Sequence, residues 1–159
     1  MKILYIHGLE SKPSEPKTSA FSRRGHEIYA PSMEFLQFSD TIEPYNILKK
    51  MAIEHEVEFL AGSSYGGFMA YWLGQELGLP QLLFNPAVCR EVFTVPTAAP
   101  IRTDVSSWVL LGAQDETIPA ELNLEFFADK PQARVIVAQW LAHRIDIQTF
   151  EEAIRWAGL

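Results

Sequence analysis

The stretch Gly62-Ser63-Ser64-Tyr65-Gly66-Gly67 fits G-x-S-x-G with Ser64 at its centre, between an apolar block and a stretch with helical spacing. A serine on a sharp strand-to-helix turn stands clear of the sheet, and glycines two residues to either side let chain segments approach without a Cβ clash. The helix N-terminus beneath such a turn favours developing negative charge. Centring the pattern on Ser63 would put Ala61 and Tyr65 at the flanks, so Ser64 is the better candidate nucleophile. The competing reading of this turn is a packing feature without chemistry.

A serine hydroxyl is a weak nucleophile near neutral pH, so it needs a base within hydrogen-bond reach and an acid to orient that base. The chain offers four histidines. His26 opens a short apolar block and His55 ends a helical stretch beside Glu54, Glu56 and Glu58, which places both at the surface. His7 follows the first apolar block, next to Gly8, and His143 lies in Leu141-Ala142-His143-Arg144 just past the last one. Asp115 follows the fifth block, in Gly112-Ala113-Gln114-Asp115-Glu116-Thr117; it could orient a histidine or cap the next helix, and Glu116 is its neighbouring rival. In an open parallel sheet the strand C-termini share one edge where ligands bind, so Ser64, Asp115 and His143 would meet there.

The elements that must bring them together are legible in the hydropathy pattern. Continuous apolar blocks alternate with helical stretches, as expected of parallel strands covered on both faces. Strands are expected near Ile3–Ile6, Glu27–Tyr29, Val57–Ala61, Leu82–Phe84, Trp108–Leu111 and Arg134–Ala138. Helices are expected over Lys17–Arg24, Thr41–His55, Gly66–Leu77, Ile118–Asp129 and Gln148–Ala157. Two segments fit poorly: Glu10–Pro16 reads as a charged, solvated loop, and Ala87–Val105, with Pro96 and Pro100, as a long connection. The fold class is therefore α/β, a three-layer α/β/α sandwich on a mostly parallel six-stranded sheet, in one domain over residues 1–159.

Composition narrows the function. The 159 residues are 48% hydrophobic and 21% charged, enough for a domain that buries roughly 70% of its unfolded surface. Thirteen basic against 20 acidic residues give a formal charge of −7, which disfavours a nucleic-acid partner. Cys89 has no second thiol for a disulfide or a zinc site. No apolar run has the length of a signal core or a membrane span, so a soluble, cytoplasmic protein without a membrane partner is expected. The turn His7-Gly8-Leu9-Glu10 lacks both G-x-G-x-x-G and a Walker lysine, which argues against a nucleotide-binding fold.

Taken together, Leu4-Tyr5-Ile6-His7-Gly8, the turn around Ser64, Phe84-Asn85-Pro86-Ala87-Val88, Asp115 and His143 resemble the α/β-hydrolases, and more narrowly the small, nearly lidless bacterial esterases of the YqiA-like family. The resemblance runs over essentially the whole chain. It implies a minimal α/β-hydrolase fold without a large cap domain, with Ser64 as nucleophile, His143 as general base and then acid, and Asp115 orienting His143. It also implies an oxyanion hole from the backbone N–H groups of Leu9 and Tyr65, with His7 shaping the turn. The implied substrate is a small-molecule ester or thioester, with short acyl groups entering an open site and no metal or cofactor needed. A non-catalytic interaction protein on the same fold is the rival from another class. Phe35, Phe93 and Trp140 are candidates for an acyl pocket as well as for ordinary core or surface. Arg90, Arg102 and Lys12 either meet an anionic leaving group or are simply solvated.

Overall fold

Successive residues of a strand face opposite sides of the sheet, and this alternation decides where each helix must pack. The computed structural model describes residues 1–159. Its first strand, β1 (Lys2–Ile6), sends Leu4 and Ile6 into one hydrophobic cluster and Ile3 and Tyr5 into another. The remaining strands are β2 (Glu27–Tyr29), β3 (Phe59–Ser63), β4 (Gln81–Phe84), β5 (Ser107–Gly112) and β6 (Ala133–Ala138). They form one sheet in the order β2-β1-β3-β4-β5-β6, and every pairing is parallel.

Helix α1 (Glu15–Ser22) and helix α5 (Ile147–Trp156) cover one face through Phe21, Phe150 and Ile154. Helices α2 (Ile42–Glu54), α3 (Tyr65–Leu77) and α4 (Ala120–Phe127) cover the other through Leu48, Met69 and Phe127. The three layers match the expected class, and all five helices and six strands lie where the sequence places them, within a few residues. With every strand pointing the same way, the C-terminal ends of β1, β3, β4, β5 and β6 share one edge. No helix is long and apolar enough to cross a membrane.

Most element ends shift by one or two residues from expectation, and four differences have a local cause or add an element. Helix α1 starts at Glu15, inside the segment read as loop, because Pro16 sits in its first turn, where the missing N–H removes no bond. Strand β3 starts at Phe59 rather than Val57. Ahead of it, Val57 N donates to Ala52 O and Glu56 N to Ile53 O, a Schellman closure of α2 that uses Glu56 at φ 53° in place of glycine. Two short 3-10 turns, Phe35–Gln37 and Ala87–Cys89, interrupt what read as plain connection.

Candidate active site

Ser64 occupies the junction between β3 and α3 at φ 55°, ψ −118°. For a residue with a Cβ this conformation stores roughly 1–3 kcal/mol, and the surrounding chain must hold it. Three contacts do so. Ser64 N donates to Phe84 O at 2.9 Å, and its carbonyl accepts from Ala87 N at 3.0 Å and from Phe68 N at 3.0 Å. The flanking glycines are sterically required: a Cβ on Gly66 would lie 2.1 Å from Ile6 O, and one on Gly62 would lie 2.3 Å from Gly66 O.

Asp115 follows the end of β5, and its two carboxylate oxygens have separate tasks. Oδ1 accepts from Thr117 N and Ile118 N, both at 2.8 Å, which builds the turn ahead of α4. Oδ2 meets His143 Nδ1 at 2.7 Å. Asp115 therefore both closes the turn ahead of α4 and meets the His143 imidazole. The carboxylate is fully buried while the imidazole is 28% exposed. Glu116, the rival acid, is exposed and makes no such bond. With Nδ1 engaged, His143 Nε2 has no protein partner, and neither does Ser64 Oγ. Both residues line one cleft of about 790 Å³.

Leu9 and Tyr65 line the same cleft, and neither backbone amide donates to a protein acceptor. Tyr65 N lies in the first turn of α3, where main-chain N–H groups point outward without helical partners. The Leu9 turn is fixed from behind by His7. Met33 N donates to His7 Nε2 at 2.8 Å, which requires the proton on Nδ1, and Nδ1 donates to Gly8 O at 2.6 Å. Burial lowers the His7 pKa below the ordinary histidine value, against the Gly8 bond that raises it. His7 is 1% exposed and fully engaged, so it shapes the turn.

Of the other histidines, His55 stacks on Tyr29 at 4.2 Å and His26 lies half-buried at the start of β2. Phe93 lines the cleft. Phe35 instead packs behind Tyr65 at 4.8 Å, in the core, and Trp140 stands 69% exposed outside the cleft. Lys12 and Arg90 line the cleft, but Arg102 pairs with Asp104 at 2.6 Å away from it. No group of three or more His, Cys, Asp or Glu side chains is placed to hold a metal ion.

Two residues with a part in this site escaped the sequence reading. Asn85 is 2% exposed at φ 42°, and its side chain bonds both Gly112 and the His143 loop. Its signal in the sequence is Asn85-Pro86-Ala87, which by itself carries no role. Lys17 reads as the start of a helix, yet it lines the cleft.

The architecture recurs in solved structures. A protein of the alpha/beta hydrolase superfamily from Xanthomonas campestris pv. campestris is 23% identical with a TM-score of 0.77, over 99% of this chain and 96% of that one. Est1E from Butyrivibrio proteoclasticus with ferulic acid bound is 15% identical with a TM-score of 0.73, over 98% and 86%. A monoacylglycerol lipase from Paleococcus ferrophilus is 14% identical with a TM-score of 0.74, over 98% and 93%. These likenesses identify the fold as that of the α/β-hydrolases. Residues 2–99 match the Uncharacterised protein family (UPF0227), and with well over half its length in that match the chain belongs to this family.

Proposed function

We propose that this protein is a serine hydrolase that cleaves carboxyl esters through an acyl-enzyme on Ser64. The observation that carries the reading is the buried Asp115 carboxylate holding His143 Nδ1 at 2.7 Å, which leaves Nε2 unengaged in the cleft that Ser64 lines. The strained backbone at Ser64 supports it, as does the shared fold with a monoacylglycerol lipase and with a protein that binds ferulic acid.

In the proposed reaction Ser64 Oγ attacks the ester carbonyl while its proton passes to His143 Nε2. The carbonyl oxygen gains negative charge opposite the amides of Leu9 and Tyr65, and the N-terminal end of α3 adds to their field. Collapse breaks the bond to the leaving alcohol, which takes the proton from Nε2. Water then gives a proton to Nε2 and attacks the acyl-enzyme; the bond from the acyl carbon to Ser64 Oγ breaks and Oγ takes the proton back from Nε2, so that one ester and one water become an acid and an alcohol. Asp115 holds the imidazole in the Nδ1–H tautomer throughout. Ser64, His143, Asp115 and the two amides supply every proton and charge step. A thioester of the same acyl group would follow the same path.

A fluorophosphonate probe tests this, because phosphonylation needs an activated serine. The label should map to the peptide containing Ser64 and be absent from Ser64→Ala, which should lose roughly 10⁴-fold in turnover. Turnover that survives in Ser64→Ala rejects Ser64 as the nucleophile, and an unlabelled Ser64 in folded protein that turns over no ester favours an interaction protein. Oxygen esters and thioesters of one acyl chain then rank the two substrate types.

A further inference from the structure

The cleft carries positive charge that the rest of the molecule does not explain. Lys12, Lys17, Arg90 and Arg144 line it, with Glu10 the only carboxylate there. The chain as a whole has 20 acidic against 13 basic residues, so an arbitrary patch would be acidic. None of the four cleft cations is in an ion pair. Elsewhere Lys2, Arg23, Lys49, Lys50, Arg102 and Lys130 each meet a carboxylate, and only Arg24, Arg134 and Arg155 do not.

Lys17 is the most informative of the four. It is half-buried on α1, its Nζ donates to no protein acceptor, and that atom stands 5.4 Å from the centroid of the Phe150 ring. Burial lowers its pKa below the ordinary lysine value, with the charge of Asp146 acting the other way. The Asp146 carboxylate is itself engaged, accepting from Thr149 N at 2.9 Å and from Thr149 Oγ1 at 2.7 Å. A partly desolvated ammonium without a partner gains most from an anion that arrives with a ligand. Arg144 follows His143 in the chain and lines the same cleft, with an exposed side chain.

We infer that this cleft selects esters bearing an anionic group, a carboxylate or a phosphate, which Lys17 and Arg144 hold while the scissile carbonyl rests at Ser64. The inference rests on the serine-hydrolase reading and names its substrate class. Lys12 and Arg90 add to the field that draws such substrates in.

Matched ester pairs test it. The p-nitrophenyl monoester of glutaric acid against p-nitrophenyl valerate places the charge on the acyl side. The butyrate ester of 4-hydroxybenzoate, or of 4-hydroxyphenyl phosphate, against that of methyl 4-hydroxybenzoate places it on the alcohol side and separates carboxylate from phosphate. At low ionic strength kcat/KM should favour the charged member of at least one pair by about tenfold, and added salt should erode that ratio. The ratio should fall several-fold in Lys17→Met and in Arg144→Gln. Arg155→Gln, an equal change of charge on exposed α5, should keep it. Turnover is counted per fluorophosphonate-reactive site, so partial misfolding does not enter the ratio.

A preference for the neutral member in every pair overturns the inference, as does a ratio that neither cleft variant alters. If Ser64 labels and neutral esters turn over without charge preference, the substrate class is wrong and the hydrolase reading stands. If Ser64 does not label and no ester turns over, both fall.

Discussion

The side-chain amide of Asn85 donates to the main-chain carbonyl of His143 at 3.1 Å and to that of Ala142 at 3.0 Å, while its oxygen accepts from Gly112 N at 2.7 Å. One buried carboxamide thus ties the end of β4 to the end of β5 and to the loop that carries the imidazole. Phe84, just before it, and Ala87, two residues after it, hold the main chain of Ser64 through Phe84 O and Ala87 N. The loop seats directly on β5, since a Cβ on Gly112 would lie 2.3 Å from Leu141 O. Asn85 is well suited to the position, because asparagine tolerates positive φ better than most residues.

Loosening that tie should misplace His143 without removing it. Asn85→Gly keeps the backbone conformation and loses all three bonds. Asn85→Asp keeps the acceptor for Gly112 N but sets a carboxylate against two carbonyls. Both variants should lower kcat by roughly 10- to 100-fold with a smaller change in KM, since small displacements of a catalytic group have effects of this order. Kinetics per fluorophosphonate-titrated site decide it. If surviving sites turn over at the parent rate, Asn85 serves folding alone.

The division of labour within Asp115 separates two variants. Asp115→Asn keeps an oxygen for Thr117 N and Ile118 N but presents an amide to His143, so turnover should fall by roughly 10⁴-fold with little loss of stability. Asp115→Ala loses the turn as well, and should be less stable than Asp115→Asn by about 1 kcal/mol. Thermal melts beside the rates check this, and equal melting of the two variants would show that the Oδ1 bonds add nothing.

The parts of this site legible in sequence are those encoded by neighbours in the chain. Ser64 is announced by glycines two residues away, and Asp115 and His143 by their place just past apolar blocks. Asn85 is different, because its partners Gly112 and His143 are 27 and 58 residues away and only the sheet order brings them together. The candidate cations Lys12, Arg90 and Arg102 look alike in sequence, and only the fold leaves Lys12 and Arg90 at the cleft and Arg102 away from it, paired with Asp104. At the start of β3 the difficulty is local, since Glu56 takes a left-handed conformation that sequence reading assigns to glycine.

The conformation of Ser64 makes its own prediction about stability. Ser64→Ala removes the hydroxyl but keeps a Cβ at φ 55°. Ser64→Gly removes the nucleophile and relieves the strain. Both should be inactive, and Ser64→Gly should be the more stable by about 1 kcal/mol despite the added flexibility of its unfolded chain. Denaturant titrations of the two inactive proteins measure the difference, and a less stable glycine variant would mean that the turn holds no strain.

His7 should make stability depend on pH near neutrality. Met33 N–H occupies Nε2 as a donor, so protonating His7 would set a second hydrogen against it and free the turn that carries Leu9. Burial lowers the folded pKa of His7 below the ordinary 6.5, and His26 is lowered too, by burial with the N-terminal amine and Arg24 adding to it. Between the lowered folded values and about 6.5 the unfolded chain binds more protons, so stability rises with pH across that window and is lost as pH falls through it. His7→Gln keeps an acceptor for Met33 N and cannot take up the proton. Melting temperatures followed from about pH 8 to about pH 5, above the range of ordinary carboxylates, should therefore fall less in His7→Gln than in the parent. Parallel declines in the two proteins would remove His7 as the source.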